Sequence, residues 1–184
     1  MAEGTLYLIV GPSGAGKDTL IDGARAALAD NPGFVFARRF ITRPVGSGGE
    51  NHQAATDEEF RTRENAGGFM IAWRAHGLSY GLEQSLQDDL AMGRHVIANV
   101  SRAVLGELVE RFPSHRIVEV TAAPEILAER LAHRGRESAP EIAVRLAREA
   151  ENYPSDANLI SLNNAQTPEA GVSKFLAILK QAQC

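Results

Sequence analysis

Glycines 11, 14 and 16 and the lysine at 17 fall in one run, Gly11-Pro-Ser-Gly-Ala-Gly16-Lys17. This spacing suits a polyphosphate. Backbone N–H groups curl around the anion, the following helix turns its positive N-terminal end toward it, and the lysine reaches the β- and γ-phosphates. Binding of ATP or a close relative is therefore expected, with Gly11, Pro12, Ser13, Gly14, Ala15, Gly16, Lys17, Asp18 and Thr19 around the phosphates. The position after the lysine, where a Ser or Thr hydroxyl commonly ligates Mg²⁺, holds Asp18. A carboxylate about 4 Å from a phosphate charge is repelled by about 4 kcal/mol at an effective dielectric of roughly 20. A bridging Mg²⁺ would remove that cost, which makes Asp18 the candidate metal ligand, directly or through water. Thr19 is an alternative source of the hydroxyl, and a plain acidic cap on the helix dipole is the structural alternative for Asp18.

Such a loop needs a strand before it and a helix after it. Thr5–Val10 is an apolar run of strand character, and residues 18–29 carry a helical pattern. Further strands are expected at 34–39, 95–100, 116–121 and 159–162, and helices at 83–92, 103–112, 124–133, 140–151 and 168–181. Apolar strands alternating with amphipathic helices imply a parallel sheet covered on both faces, a three-layer α/β fold, with ligands beyond the C-terminal strand ends. Two segments break the rhythm. Residues 42–80 contain a Gly-rich loop (44–49), a short helix (57–64) and a strand (69–75) turned by His76-Gly77, and read as a small acceptor-binding lobe. Residues 134–148 carry Arg134, Arg136, Arg145 and Arg148, with Gly135 as a pivot, and read as a helical lid.

The 184 residues suit one domain. An apolar fraction of 44% with 23% charged residues is ordinary for a globular chain, and no apolar stretch has the length of a membrane span. No basic region precedes an apolar one at the N-terminus, so a cytoplasmic location is expected. Cys184 is the single cysteine, which leaves neither a disulfide framework nor a cysteine metal site. The net charge of −4 argues against a general nucleic-acid surface. Of the 19 basic residues three are lysines, leaving sixteen arginines, whose planar fork suits bidentate phosphate recognition.

Taken together, the loop at 11–17, Thr42-Arg43-Pro44, Tyr80-Gly81, Arg130-Leu-x-x-Arg134-Gly135 and Asn163-Asn164 resemble the guanylate-kinase-like P-loop kinases over nearly the whole chain. The resemblance implies a core that binds ATP, a small lobe that binds a phosphorylated acceptor and a lid that closes over both. It departs from guanylate kinases where the base is read. Their small-lobe glutamate is matched by Ala72, their strand aspartate is replaced within Ile97–Ser101, and the second arginine and the tyrosine of their acceptor loop are missing between Val45 and His52. A site stripped of its hydrogen-bonding groups loses orders of magnitude in discrimination, which argues against GMP. Gly16-Lys17-Asp18, Ile41-Thr42-Arg43, Gly49-Glu50-Asn51-His52, His76-Gly-Leu-x-Tyr80-Gly81 and Arg134-Gly-Arg136-Glu137 are instead similar to the ribose 1,5-bisphosphate phosphokinase family. That likeness implies a bisphosphorylated sugar as acceptor, with no nucleic-acid or membrane partner. A nucleoside monophosphate kinase and a non-catalytic binding module are the alternatives.

From the resemblance, Lys17, Arg134 and Arg145 are the expected catalytic residues, and Arg130, Arg134 and Asn164 join the loop in holding ATP. Arg43 and Tyr80 are the leading acceptor residues, followed by Arg39, His52, Arg74 and Arg102. His52 and His76 have a structural alternative as turn residues, Glu50 either orients a ribose hydroxyl or pairs with an arginine, and Trp73 reads as core. Replacing Lys17→Ala should abolish phosphoryl transfer while leaving the far-ultraviolet circular dichroism unchanged; normal turnover in that variant would remove the phosphate-loop assignment.

Overall fold

A computed structural model describes residues 3–44, 51–134 and 158–181. The five residues of β1 (Leu6–Val10) are all inaccessible to solvent. A strand buried on both faces must lie inside a sheet that is covered twice. It does: β2 (Phe34–Phe36), β7 (His95–Asn99), β8 (His115–Thr121) and β9 (Leu159–Asn163) join it in the order β2-β7-β1-β8-β9, every pair parallel. The period-two alternation then sorts side chains between two cores. Tyr7 and Ile9, with Val118, Val120 and Leu162, meet Leu20 and Ala24 of α1 (Lys17–Ala27) and Phe175 and Leu179 of α6 (Pro168–Lys180). On the other face Leu6, Leu8 and Val10, with Val96 and Ala98, meet Leu90 of α3 (Leu86–Ala91) and Leu105 and Leu108 of α4 (Leu105–Arg111). These are the three layers that the strand and helix alternation implies.

Two polar contacts tie the layers. The Tyr7 hydroxyl donates to the Leu179 carbonyl at 3.0 Å, and burial pushes the phenol above its ordinary range, which keeps it a donor. His95 accepts the Thr5 N–H at Nδ1 (3.1 Å), and burial lowers its pKa, favouring the neutral ring that this bond requires.

The small lobe holds more strand than its sequence suggests. Besides the expected β5 (Phe69–Ala75), it contains β3 (Phe40–Ile41), β4 (Gln53–Ala54) and β6 (Leu78–Glu83), in the order β4-β3-β6-β5. Two-residue strands carry no readable period. Strand β6 also claims residue 83, so the helix expected at 83–92 shortens to α3. The β5–β6 turn is His76-Gly77, at φ 52° and 74°; positive φ at both positions is the type I′ geometry that matches strand twist. Helix α2 (Asp57–Asn65) starts at a capping box, in which Thr56 Oγ1 accepts from the Glu59 N–H and Glu59 accepts from the Thr56 N–H. One apolar cluster contains both Leu6, Leu8 and Val10 of the main sheet and Ile41, Met70, Trp73 and Leu82 of the small one.

Helix α5 (Pro124–Arg134) ends at Arg134, whose side chain lies outside the described set. So do the Gly-rich loop with Glu50, the helix expected at 140–151, and the lid arginines 136, 145 and 148. Among the described residues no helix is long and apolar enough to cross a membrane.

Helix α1 presses on α6 at Gly23, where a Cβ would fall inside contact distance of both Val172 methyl carbons. Alanine normally favours a helix interior over glycine by about 1 kcal/mol. Here Gly23→Ala should instead destabilise by about 1–3 kcal/mol through overpacking, and Val172→Ala should recover most of the loss in urea denaturation. A more stable Gly23→Ala single variant would contradict this packing.

Candidate active site

The loop between β1 and α1 is shaped by what lies behind it. At Gly11 (φ 141°) a Cβ would overlap the Val120 carbonyl of β8, and at Gly16 (φ 89°) it would stand 2.6 Å from Asn164 Nδ2. Both positions need positive φ and the absence of a side chain. Gly16 is also the N-cap of α1, so that helix begins without a side-chain cap. The Ala15 N–H donates within the loop to the Pro12 carbonyl at 3.2 Å; amides kept for an anion leave the other loop carbonyls to find donors elsewhere. Lys17 Nζ donates to the carbonyls of Gly11 (2.5 Å) and Pro12 (2.9 Å). Asn164 Nδ2 donates to the Ala15 carbonyl at 2.7 Å. Arg130 Nη2 donates to the Asn164 carbonyl at 2.9 Å, and its Nη1 points at the Gly14 carbonyl at 3.4 Å.

Asn164 is 5% exposed and is itself held by its N–H on the Thr121 carbonyl (2.7 Å). Its Oδ1 is buried without a hydrogen-bond partner and abuts Gly171 of α6. The resemblance places Arg130 and Asn164 among ATP contacts; in the structure both grip the loop's backbone from behind. Asp18, in the first turn of α1, accepts from Asn99 Nδ2 at 3.1 Å. Among the described residues no three His, Cys, Asp or Glu side chains converge on a metal site. The hard oxygen of Asp18 nonetheless fits Mg²⁺, which commonly takes one or two protein carboxylates and completes its shell with phosphate oxygens and water.

On the small lobe the acceptor candidates separate by strand face. Tyr80 of β6 pairs with Trp73 of β5, their rings stacked at 5.4 Å and 9°, and the Arg39 guanidinium lies 5.3 Å from the Tyr80 ring centre. Cation and ring are attracted at this range. Trp73 is core, as its alternation implies, and also the floor of this stack. Thr42 exchanges two bonds with Ser79, its N–H to the Ser79 carbonyl (3.1 Å) and its Oγ1 accepting the Ser79 N–H (2.9 Å), so Arg43 emerges from a pinned backbone. His52, 5% exposed, donates from Nε2 to the Arg43 carbonyl at 3.0 Å. That placement matches the structural alternative for His52.

Arg74 does not join this group. It follows Trp73 on β5 and so faces the opposite side of the small sheet, where it makes two bonds to Glu64 (3.2 and 2.7 Å) and lies over the Phe60 ring. Arg102 follows β7 and sits 3.6 Å from Glu119. His76 is an exposed turn residue. The sequence marks Asn99 only within the Ile97–Ser101 run where an aspartate is replaced, and does not mark the pinning role of Thr42. An asparagine at the C-terminal end of a parallel strand beside the loop is a signal for the first, since ligands collect at those ends.

No family model matches the chain. A bifunctional ribose 1,5-bisphosphokinase-thymidine phosphorylase from Azorhizobium caulinodans is 52% identical over 179 residues, 97% of the chain. The chain spans 26% of the length of that relative and 30% of a second bifunctional relative from Cupriavidus necator. A ribose 1,5-bisphosphate phosphokinase from Acidiphilium cryptum is 50% identical over 177 residues, covering 96% of the chain and 93% of the relative. Among solved structures, a guanylate kinase from Anaplasma phagocytophilum aligns over 99% of the chain and 87% of its own, with a TM-score of 0.68 at 17% identity. That likeness is one of fold, and it agrees with the three-layer α/β arrangement.

Replacing Asn164→Ala removes the donor to the Ala15 carbonyl. Loss of a buried hydrogen bond of this kind should cost about 1–3 kcal/mol of stability, and the loosened loop should bind ATP more weakly. Thermal unfolding with and without ATP reads both effects; unchanged stability and affinity would show that the loop holds its shape without this brace.

Proposed function

The chain belongs to the ribose 1,5-bisphosphate phosphokinase family, and on that footing we propose that it transfers the γ-phosphoryl group of ATP to the 1-phosphate of ribose 1,5-bisphosphate, giving 5-phosphoribosyl 1-diphosphate and ADP. The observation that carries this reading is the 50% identity to a phosphokinase over 93% of its length, joined to a braced Lys17 loop and a small lobe with alanine at position 72. The acceptor has phosphates and no base, which accords with cations kept and a base-reading carboxylate absent. The reaction belongs in the cytoplasm, where ATP is at hand, with a phosphorylated sugar as partner and neither nucleic acid nor membrane.

In this mechanism an ionised oxygen of the acceptor's 1-phosphate attacks the γ-phosphorus, and the bond from that phosphorus to the β–γ bridging oxygen breaks, its electron pair leaving with ADP. The nucleophile is already an anion, so no side chain need remove a proton. Positioning and charge neutralisation supply the rate. Lys17 and the loop from Gly11 to Thr19 hold the β- and γ-phosphates, and Arg130 and Asn164 keep that loop in shape. Asp18 would hold Mg²⁺, directly or through water, and the ion would supply charge neutralisation for the nucleotide phosphates. Arg43, Arg39 and Tyr80 receive the acceptor's phosphates, with His52 acting through the Arg43 backbone. Arg134 and Arg145, with Arg136, neutralise the migrating group from a lid over 134–148 whose closure excludes water.

The test is ADP release from Mg-ATP with ribose 1,5-bisphosphate and with GMP in parallel, the product identified by mass. Selective formation of 5-phosphoribosyl 1-diphosphate is expected; turnover of GMP instead would return the protein to nucleotide kinase chemistry. Replacing Arg43→Ala should raise the acceptor KM about ten- to a hundredfold, the worth of hydrogen bonds to a charged group, and leave the KM for ATP unchanged.

A further inference from the structure

Asn99 ends β7, and its register partner on β1 is Ile9, one residue before the strand runs out into the loop. Its Nδ2 donates to Asp18 Oδ1 at 3.1 Å, across 81 residues of sequence. An ionised carboxylate accepts only, so the amide must present its NH₂ end to Asp18. Phosphate loops of this spacing commonly place a Ser or Thr hydroxyl after the lysine and an aspartate on a core strand, both serving the metal. Here the two chemistries stand in exchanged places: the carboxylate is on the helix and the neutral polar side chain is on the strand. Either arrangement sets one negative charge beside one neutral polar group.

We propose that Asp18 and Asn99 form one unit in which the Asn99 amide fixes the orientation of the Asp18 carboxylate toward nucleotide-bound Mg²⁺, making Asn99 a positioning residue for the metal. The physical need is specific. A carboxylate beside polyphosphate is repelled in every rotamer that does not meet the cation, and a directed donor on one oxygen selects among those rotamers. A neutral donor does so without bringing a second positive charge to compete with Mg²⁺. An aspartate at position 99 beside Asp18 would set two like charges together, which accounts for a neutral residue where the carboxylate has moved. The inference rests on the phosphotransferase reading above.

The test is equilibrium binding of a fluorescent ATP analogue to the full chain, without acceptor, in excess chelator and in saturating Mg²⁺. The quantity read is the gain in affinity that Mg²⁺ confers, which a purely structural role for Asn99 would not move. Asn99→Ala should lose about tenfold of that gain, the scale of one hydrogen bond to a charged group, while affinity in chelator stays as in the wild type. Asp18→Ser should lose the gain as well, and the exchanged variant Asp18→Ser/Asn99→Asp should recover it. If Asn99→Ala does not fold, the exchanged variant, which keeps a polar group at both places, decides. A full Mg²⁺ gain in folded Asn99→Ala, or an exchanged variant no better than Asp18→Ser, overturns the proposal and leaves the phosphotransferase reading standing. A wild-type protein that binds no ATP overturns both.

Discussion

A phosphate loop reserves most of its N–H groups for a ligand, and this leaves most of its carbonyl oxygens to be satisfied from elsewhere. Much of the described core is arranged around that constraint. Lys17 closes over the carbonyls at the loop's entrance, while Asn164 takes the Ala15 carbonyl from behind. Arg130 ties the backbone of Asn164 to the helix that continues toward residue 134. The braces come from α1, α5 and the segment after β9, so the loop joins the layers as well as the first strand to the first helix. Glycine at 16 follows from the same arrangement, because the Asn164 amide occupies the space a side chain would need.

The small lobe holds its arginines in more than one way. Arg39 is held over a tyrosine that is itself stacked on a buried tryptophan, an arrangement that orients the guanidinium. Arg43 is positioned through its backbone, by the Thr42–Ser79 bonds on one side and the His52 ring on its own carbonyl. Arg74, by contrast, is matched to a carboxylate on the outer face. Arg39 and Arg43 thus differ from Arg74 in the contacts that position them, and the alternation of β5 sets Arg74 on the face opposite Trp73.

The distance between the motifs' legibility and the lobe's is instructive. The loop, β1, β7, β8, β9 and their helices are contiguous segments of five or more residues, long enough for apolar period and flanking turns to be read directly. Strands β3 and β4 are two residues each and exist only because β6 lies beside β3; nothing local marks them. Helix α3 was overextended for the same reason, since residues 78–83 have a pairing partner that a helical reading cannot see.

By itself the sequence determined the order of the main-sheet strands and their helices, the phosphate loop and the apolar faces, because each depends on neighbours a few residues apart. Only the tertiary structure decided which polar groups meet. It joined Asp18 to Asn99 and Ala15 to Asn164, and seated His52 against Arg43. Those outcomes depend on register between strands and on the packing of helices against them, and neither has a period or a spacing along the chain to reveal it.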